Sequence, residues 1–310
     1  MKRVIIAVLV LILLLGVYYV IKNQKESSRA EVRQEDFLGI GEGQITDFRL
    51  IRLKDTINFT LEDGLWKVIY GGKTRLSDTN VVNQIVEKVA ELNAGAVISS
   101  NPANRESYGV DSASATRLTF YQDEKELADL FIGEDSPNYG SVYFRQAGHD
   151  EVRIGEGLAA YLFNKPIIGW LNKAIIKADT SLLTAMEFEY PQEQFTLVRI
   201  DTTWFARGDS INGQVIAQSD SVRLYLRYLS NFLTDDYLLP EDSAYYDPEN
   251  IDFRLILRYE NGELDSIRVH GRAENRARHY VTSDNSDDVY VLYKARYDRL
   301  AKRGKNFLGL

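Results

Sequence analysis

The sequence repeats itself at a separation of about 137 residues, and that self-similarity constrains the architecture before any local propensity is weighed. Thr60 to Val68 (TLEDGLWKV) aligns with Val198 to Ala206 (VRIDTTWFA), so a turn followed by a tryptophan, Trp66 or Trp204, falls at equivalent points. Leu118-Thr119-Phe120 aligns with Leu255-Ile256-Leu257, and Glu126-Leu127 with Glu263-Leu264. Tyr143-Phe144 aligns with Tyr280-Val281, and Val152-Arg153-Ile154 with Val289-Tyr290-Val291. A nearly constant offset over this many segments predicts two copies of one unit in tandem.

Within the first copy, Phe48 to Leu53 and Thr56 to Leu61 are strand-like, and Asp63-Gly64 turns the chain into Trp66 to Tyr70. Ser77 or Asp78 is placed to cap a helix in which Val81, Val82, Ile85, Val86, Val89 and Leu92 recur at helical spacing, with Gly95 near its end. Strands are expected at Arg117 to Gln122, Leu127 to Ile132, Val142 to Gln146 and Val152 to Ile154, and a short helix at Leu158 to Phe163. The second copy repeats the order: Phe195 to Ile200, Trp204 to Arg207, a helix from about Asp220 to Leu233, then strands at Phe253 to Tyr259, Ser266 to Val269, His279 to Thr282 and Val289 to Leu292. A last helix carries Tyr293, Tyr297 and Leu300. The expected fold class is α+β: an N-terminal transmembrane helix, then a tandem duplication of a mostly antiparallel sheet-plus-helix unit. The boundaries are an anchor over 1–22, a linker over 23–44, a first repeat over 45–165, an apolar junction over 166–181 and a second repeat over 182–310.

Val4 to Ile21 is an uncharged run of eighteen residues, whose helix would extend about 27 Å, close to the hydrocarbon thickness of a bilayer. Tyr18, Tyr19 and Lys22 suit the interface at one end. The competing reading is a cleaved signal peptide with Ser28-Arg29-Ala30 as its site, but the apolar run exceeds a signal core of roughly 7–15 residues and a charged stretch separates it from that site. An uncleaved membrane anchor is therefore expected, with the N-terminus inside and the large domain outside. The lipid bilayer is the partner of Val4 to Ile21.

Composition excludes more than it assigns. The formal net charge is -8, and the first thirty residues hold five basic side chains against one acidic, so the remainder is more acidic still. An acidic ectodomain lacks the basic stripe that displaces counterions from phosphates, and no nucleic-acid partner is expected. Cysteine is absent, which removes disulfides, thiolate ligands, thiol nucleophiles and lipobox acylation.

The helix ending in Glu91-Leu92-Asn93-Ala94, then Tyr108-Gly109-Val110-Asp111, Leu118-Thr119-Phe120 and Phe131-Ile132-Gly133, resembles the bacterial family named domain of unknown function 4340. The resemblance covers Ile45 to Phe163 well. In the second copy Tyr245-Tyr246-Asp247 and His270-Gly271 stand at the YGxD and IG positions. The resemblance implies a single-span envelope protein, associated with ABC-transporter auxiliary proteins of the gliding-motility type, and it supplies no catalytic residue.

The three histidines, His149, His270 and His279, form no HExxH or Cys/His spacing, and no GxSxG elbow is present. No catalytic, cofactor or metal residue is assigned. Asp284 to Asp288 offers hard oxygen ligands but lacks the Gly and distal Glu of an EF-hand and is read as a hairpin turn. Gly71-Gly72-Lys73-Thr74 lacks the first Gly of a phosphate loop and is likewise read as a turn. Trp66 and Trp204 read as paired core residues, with a ligand-stacking surface as the other reading. Tyr237, Tyr245 and Tyr246 sit in an acidic loop suited to partner recognition. His270, Arg272 and Glu274 form a weak polar cluster. The expected function is a membrane-anchored, non-enzymatic accessory module that binds an envelope protein, with an ABC-transporter component as the candidate partner. The alternative is an envelope enzyme or small-ligand binder using a cleft between the repeats.

Overall fold

Period-two alternation of apolar residues builds most of the observed structure. The computed structural model describes Gly16, Tyr18 and residues 36–209, 211–271 and 277–308. The expected membrane anchor, Val4 to Ile21, lies outside the described residues except for Gly16 and Tyr18. Among the described residues, no helix is long and apolar enough to cross a membrane. The chain divides into two units, one comprising residues up to Tyr70 together with Thr74–Leu171, the other Gly71–Lys73 with Asn172–Leu310.

The first unit begins with four strands, β1 (Asp47–Ile51), β2 (Thr56–Glu62), β3 (Leu65–Tyr70) and β4 (Lys73–Leu76). Helix α1 (Thr79–Ala90) leads to β5 (Asn93–Ser99), and a second run of strands follows: β6 (Thr116–Gln122), β7 (Lys125–Asp135), β8 (Ser141–Gln146) and β9 (Val152–Glu156). All nine form one sheet in the order β4-β3-β2-β1-β6-β7-β8-β9-β5. It is two meanders joined by their first strands, with β1 and β6 antiparallel and Phe48 opposite Phe120. One face buries Phe48, Leu50, Ile57, Phe59, Trp66, Leu118, Phe120, Leu130 and Phe144, and α1 contributes Val82, Ile85, Val86 and Val89 to the same unit's core.

Each turn has a local cause. Asp63 and Gly64 both have positive φ, 52° and 75°, which suits a two-residue hairpin whose twist matches its strands. Gly71 and Gly72 also have positive φ and join β3 to β4, the hairpin reading of that glycine pair. Asp78 caps α1 by accepting from the amides of Asn80 and Val81 at 3.2 and 3.3 Å.

The second unit contains β10 (Ala174–Ile176), β11 (Leu183–Tyr190), β12 (Glu193–Ile200), β13 (Thr203–Gly208), β14 (Ile211–Ile216), α2 (Ser219–Leu229), β15 (Phe232–Leu233) and β16 (Asp236–Tyr237). After these come β17 (Ile251–Tyr259), β18 (Leu264–His270), β19 (Arg278–Ser283), β20 (Ser286–Tyr293), α3 (Lys294–Leu300) and α4 (Lys305–Leu308). Its large sheet has the order β14-β13-β12-β11-β17-β18-β19-β20-β16, the same path as the first. Strands β10 and β15 pair separately. The protein is thus mostly antiparallel sheet with a few helices, arranged as two large sheets.

Each unit stacks two aromatic rings across its first strand pair, although the two stacks lie two residues apart in register. Phe48 and Phe59 stack at 4.3 Å and 10°, and Phe188 and Phe195 at 4.3 Å and 8°. Each unit is then closed by an aromatic residue from its last short helix. The Asp78 amide donates to the Trp170 carbonyl at 2.8 Å, and the Gln218 amide to the Phe307 carbonyl at 2.6 Å. Both side chains are buried, and they lie edge-on or tilted against Phe59 and Phe195, at 5.4 and 6.1 Å.

Two expectations require correction. The helices end at Ala90 and Leu229, short of the expected Leu92 and Leu233. Leu92 is buried and continues the helical spacing of apolar residues, yet Asn93–Ser99 pairs with β9 and Phe232–Leu233 with β10. A strand that follows a helix almost directly borrows its apolar pattern, and cross-strand pairing decides the outcome.

Candidate functional site

The family-like motif is a loop clamped to the outer face of the first sheet. Glu106–Tyr108 makes a short 3-10 turn that ends on Gly109 at φ 64°, in the left-handed region. Val110 is then fully buried. The Asp111 carboxylate accepts from the Ala113 and Ser114 amides at 2.8 and 3.1 Å and from the Ser114 hydroxyl. The hydroxyl bond, with those amides, holds the Asp111 pKa below the usual carboxylate value. Gly133 of β7 lies directly beneath: a Cβ there would run into the Tyr108 carbonyl and come within 2.8 Å of Val110 Cγ1.

A row of alternating cations and aromatics secures the loop. Arg145 is buried; its Nε and Nη2 donate to the Val110 carbonyl at 3.3 Å and its Nη1 to the His149 carbonyl at 3.2 Å. Its guanidinium lies 4.2 Å from the centre of the Phe131 ring, and that of Arg117 lies 5.4 Å from it. Burial pushes the Arg145 pKa down, with repulsion from Arg105 adding to it. Asp129 is buried and takes two bonds from Arg117, at 2.8 and 2.6 Å, and one from the Thr119 hydroxyl at 3.3 Å. These groups satisfy one another, so the motif's chemistry is spent on holding the loop.

In the second unit, strand pairing corrects the expected alignment by one residue and puts Val269-His270, not His270-Gly271, where Ile132-Gly133 stands in the first: Ile132 faces Phe144, and Val269 faces Val281. Tyr246 covers His270 edge-on at 5.1 Å and Tyr280 at 5.8 Å. Ring contact thus replaces close backbone approach. His270 is 2% exposed and its Nε2 lies 3.0 Å from the Thr282 hydroxyl. Burial lowers its pKa, against the opposing pull of the Pro248 and Asp247 carbonyls. The unfolded chain therefore binds the His270 proton more readily, and the stability from the neutral ring is complete above about pH 6.5 and declines as pH falls toward the depressed folded value. Urea unfolding at pH 8 and pH 5 should show wild type losing stability relative to His270→Phe; parallel pH dependences would refute this.

The remaining expected residues are dispersed. Trp66 is 3% exposed and its Nε1 donates to Asn83 of α1 at 3.0 Å. Trp204 holds the matching register, facing Arg199 as Trp66 faces Leu61, but is only half-buried. Tyr237 is buried on β16 against Tyr290 at 5.4 Å, its hydroxyl donating to the Asn172 carbonyl. Tyr245 is exposed at the end of the 3-10 turn Pro240–Tyr245. Arg272 and Glu274 lie outside the described residues. Asp284 forms an ion pair with Arg268 at 2.7 Å. Among the described residues, no three histidine or carboxylate groups converge as metal ligands.

A groove of about 670 Å³ lies on the helical side of the second unit. It is lined by one face of α2, with Ser221, Leu224, Tyr225, Arg227 and Tyr228, and by Asn231 just beyond the helix. The facing wall supplies Arg299 of α3, Lys302 of the connection after it, and Asn306 and Phe307 of α4. Tyr225 donates to the Leu300 carbonyl at 2.8 Å and Tyr228 to the Arg296 carbonyl at 3.0 Å. These bonds tie the walls together and leave ring faces as the floor. Burial pushes the Tyr228 hydroxyl up to about 12 although Arg296 and Arg299 pull it down, so the floor stays neutral. Sequence reading missed this groove because its cations come from segments about seventy residues apart.

The two sheets, the clamped loop and the groove define a two-unit, mostly antiparallel protein that presents an open site on its second unit. The family described as Domain of unknown function (DUF4340) matches residues 66–251. The chain belongs to this family. No curated protein and no solved structure matches it.

Proposed function

We propose that this chain is a membrane-anchored, non-enzymatic binding module of the bacterial cell envelope, serving as an accessory subunit to an ABC transporter. On this reading the second unit arose by tandem duplication of the first and diverged to bind. The observation that carries the proposal is the groove. Position for position from the helix caps, Ile85 and Lys88 of α1 correspond to Tyr225 and Tyr228 of α2, and Lys88 donates to the Gly157 carbonyl at 2.8 Å. The second unit instead offers ring faces beneath exposed cations. The uncharged run Val4 to Ile21 supports the anchor, and tethering converts partner search into an effectively intramolecular encounter.

Purification of the full chain in mild detergent, with partners identified by mass spectrometry, tests this. A transporter subunit should co-purify with wild type and be lost with the double variant Arg299→Glu/Lys302→Glu at unchanged melting temperature. Recovery of free monomer under several gentle conditions would overturn the proposal.

A further inference from the structure

Charges on the helices of the second unit divide in a way that stability alone does not explain. On α2 and α3, Arg223 pairs with Asp220 at 2.8 Å, Lys294 with Asp298 at 2.6 Å and Arg296 with Asp235 at 2.5 Å. Among the described residues, Arg227 and Arg299, the other two cations of these helices, have no carboxylate partner, and both line the groove together with Lys302, which also lacks one. Among the described residues, no acidic one lines it, although the protein as a whole is acidic. The floor is apolar: Tyr225 and Phe307 are buried, and Leu224, on the lining, is 61% exposed.

We infer that the groove receives an acidic, amphipathic peptide segment of a partner protein, its carboxylates meeting Arg227, Arg299 and Lys302 and its apolar side chains covering Leu224, Tyr225, Tyr228 and Phe307. This rests on the reading above that the groove is the binding face. A peptide is favoured over a small anion for two physical reasons. The cations are solvated and not gathered around one buried polar group, so each attracts a single small anion weakly. The lining residues of α2 run from Ser221 to Tyr228, so the open trough extends about 10 Å at 1.5 Å per residue, the span of about two helical turns. An amphipathic segment laid in such a groove is held by apolar contacts at helical spacing, while the opposite charges speed encounter and exclude basic competitors.

The test uses the full chain in detergent and three fluorescent peptides: one with Glu and Leu at amphipathic helical spacing, one with Lys in place of Glu, and one with Glu and Ser. Fluorescence anisotropy should show binding of the Glu/Leu peptide, weakened at least tenfold by Arg299→Glu/Lys302→Glu and by Leu224→Glu, with affinity falling as salt rises. The Lys/Leu and Glu/Ser peptides should bind at least tenfold more weakly. Equal binding of Glu/Leu and Glu/Ser, or binding of phosphatidylglycerol vesicles with no binding of Glu/Leu, would overturn the inference. If a transporter subunit co-purifies and is lost with the double variant while Glu/Leu fails to bind, the ligand class is wrong and the docking face stands. If neither occurs, both fall.

Discussion

Replacing Trp170 by Ala should destabilise the first unit by about 3–5 kcal/mol, and Phe307→Ala the second by a similar amount, the range for removing a large buried aromatic. For a unit of this size each kilocalorie shifts the melting temperature by roughly 2–4 °C. The cause is double. Each side chain fills its unit's core, while the carbonyl of the same residue receives the amide that opens α1 or α2, so a shift of the short helix also loosens the start of the long one. Trp204→Ala should have a much smaller effect, because that ring is only half-buried. Thermal melting with limited proteolysis would show which half opens first. Equal melting of wild type and Trp170→Ala, or opening of the second unit in that variant, would remove the closing role assigned here.

The second large effect is expected at Gly133→Val. A Cβ at this position would strike the Tyr108 carbonyl and crowd Val110, and the obstacle is partly backbone, which cannot swing aside as a side-chain end can. Overpacking of this kind typically destabilises by about 1–3 kcal/mol. The loop over 105–111 should also lift, ending the bonds from Arg145 to Val110 and exposing the loop to protease. Unchanged melting with continued protection of that loop would show that the close approach is not required.

Strands with clean alternation flanked by turn residues are legible directly, and β6, β8, β9, β17 and β19 fall where the sequence places them. Strand β11 (Leu183–Tyr190) is not legible in the same way. Its Leu, Ala, Met and Glu residues favour helix locally, and it becomes a strand because β12 and β17 pair with it on both sides. The edge strands β4 and β14 are short or exposed, so little in their own residues announces them.

The repeat is legible, but the weight falls elsewhere than on Trp66 and Trp204. Their registers match, yet their burial differs, whereas Trp170 and Phe307 match in burial and in the helix-opening amide that each carbonyl receives. The separation that relates the strands also relates these two residues, although one is indole and the other phenyl. Chemical identity is therefore a poorer guide than offset. Of the cluster His270, Arg272 and Glu274, only His270 can be placed, and its ring serves contact with Tyr246 and Thr282.

The closing role of Trp170 and Phe307 also sets an order of events on the ribosome. The first unit acquires its closing aromatic once Trp170 has emerged, but the second waits for Phe307 while its stacked Phe188 and Phe195 are already made. At about 5–20 residues per second that interval is roughly 7–27 s. During it the nascent chain carries one finished unit and one sheet whose aromatic face lacks its final cover, the stage at which a chaperone would find something to hold.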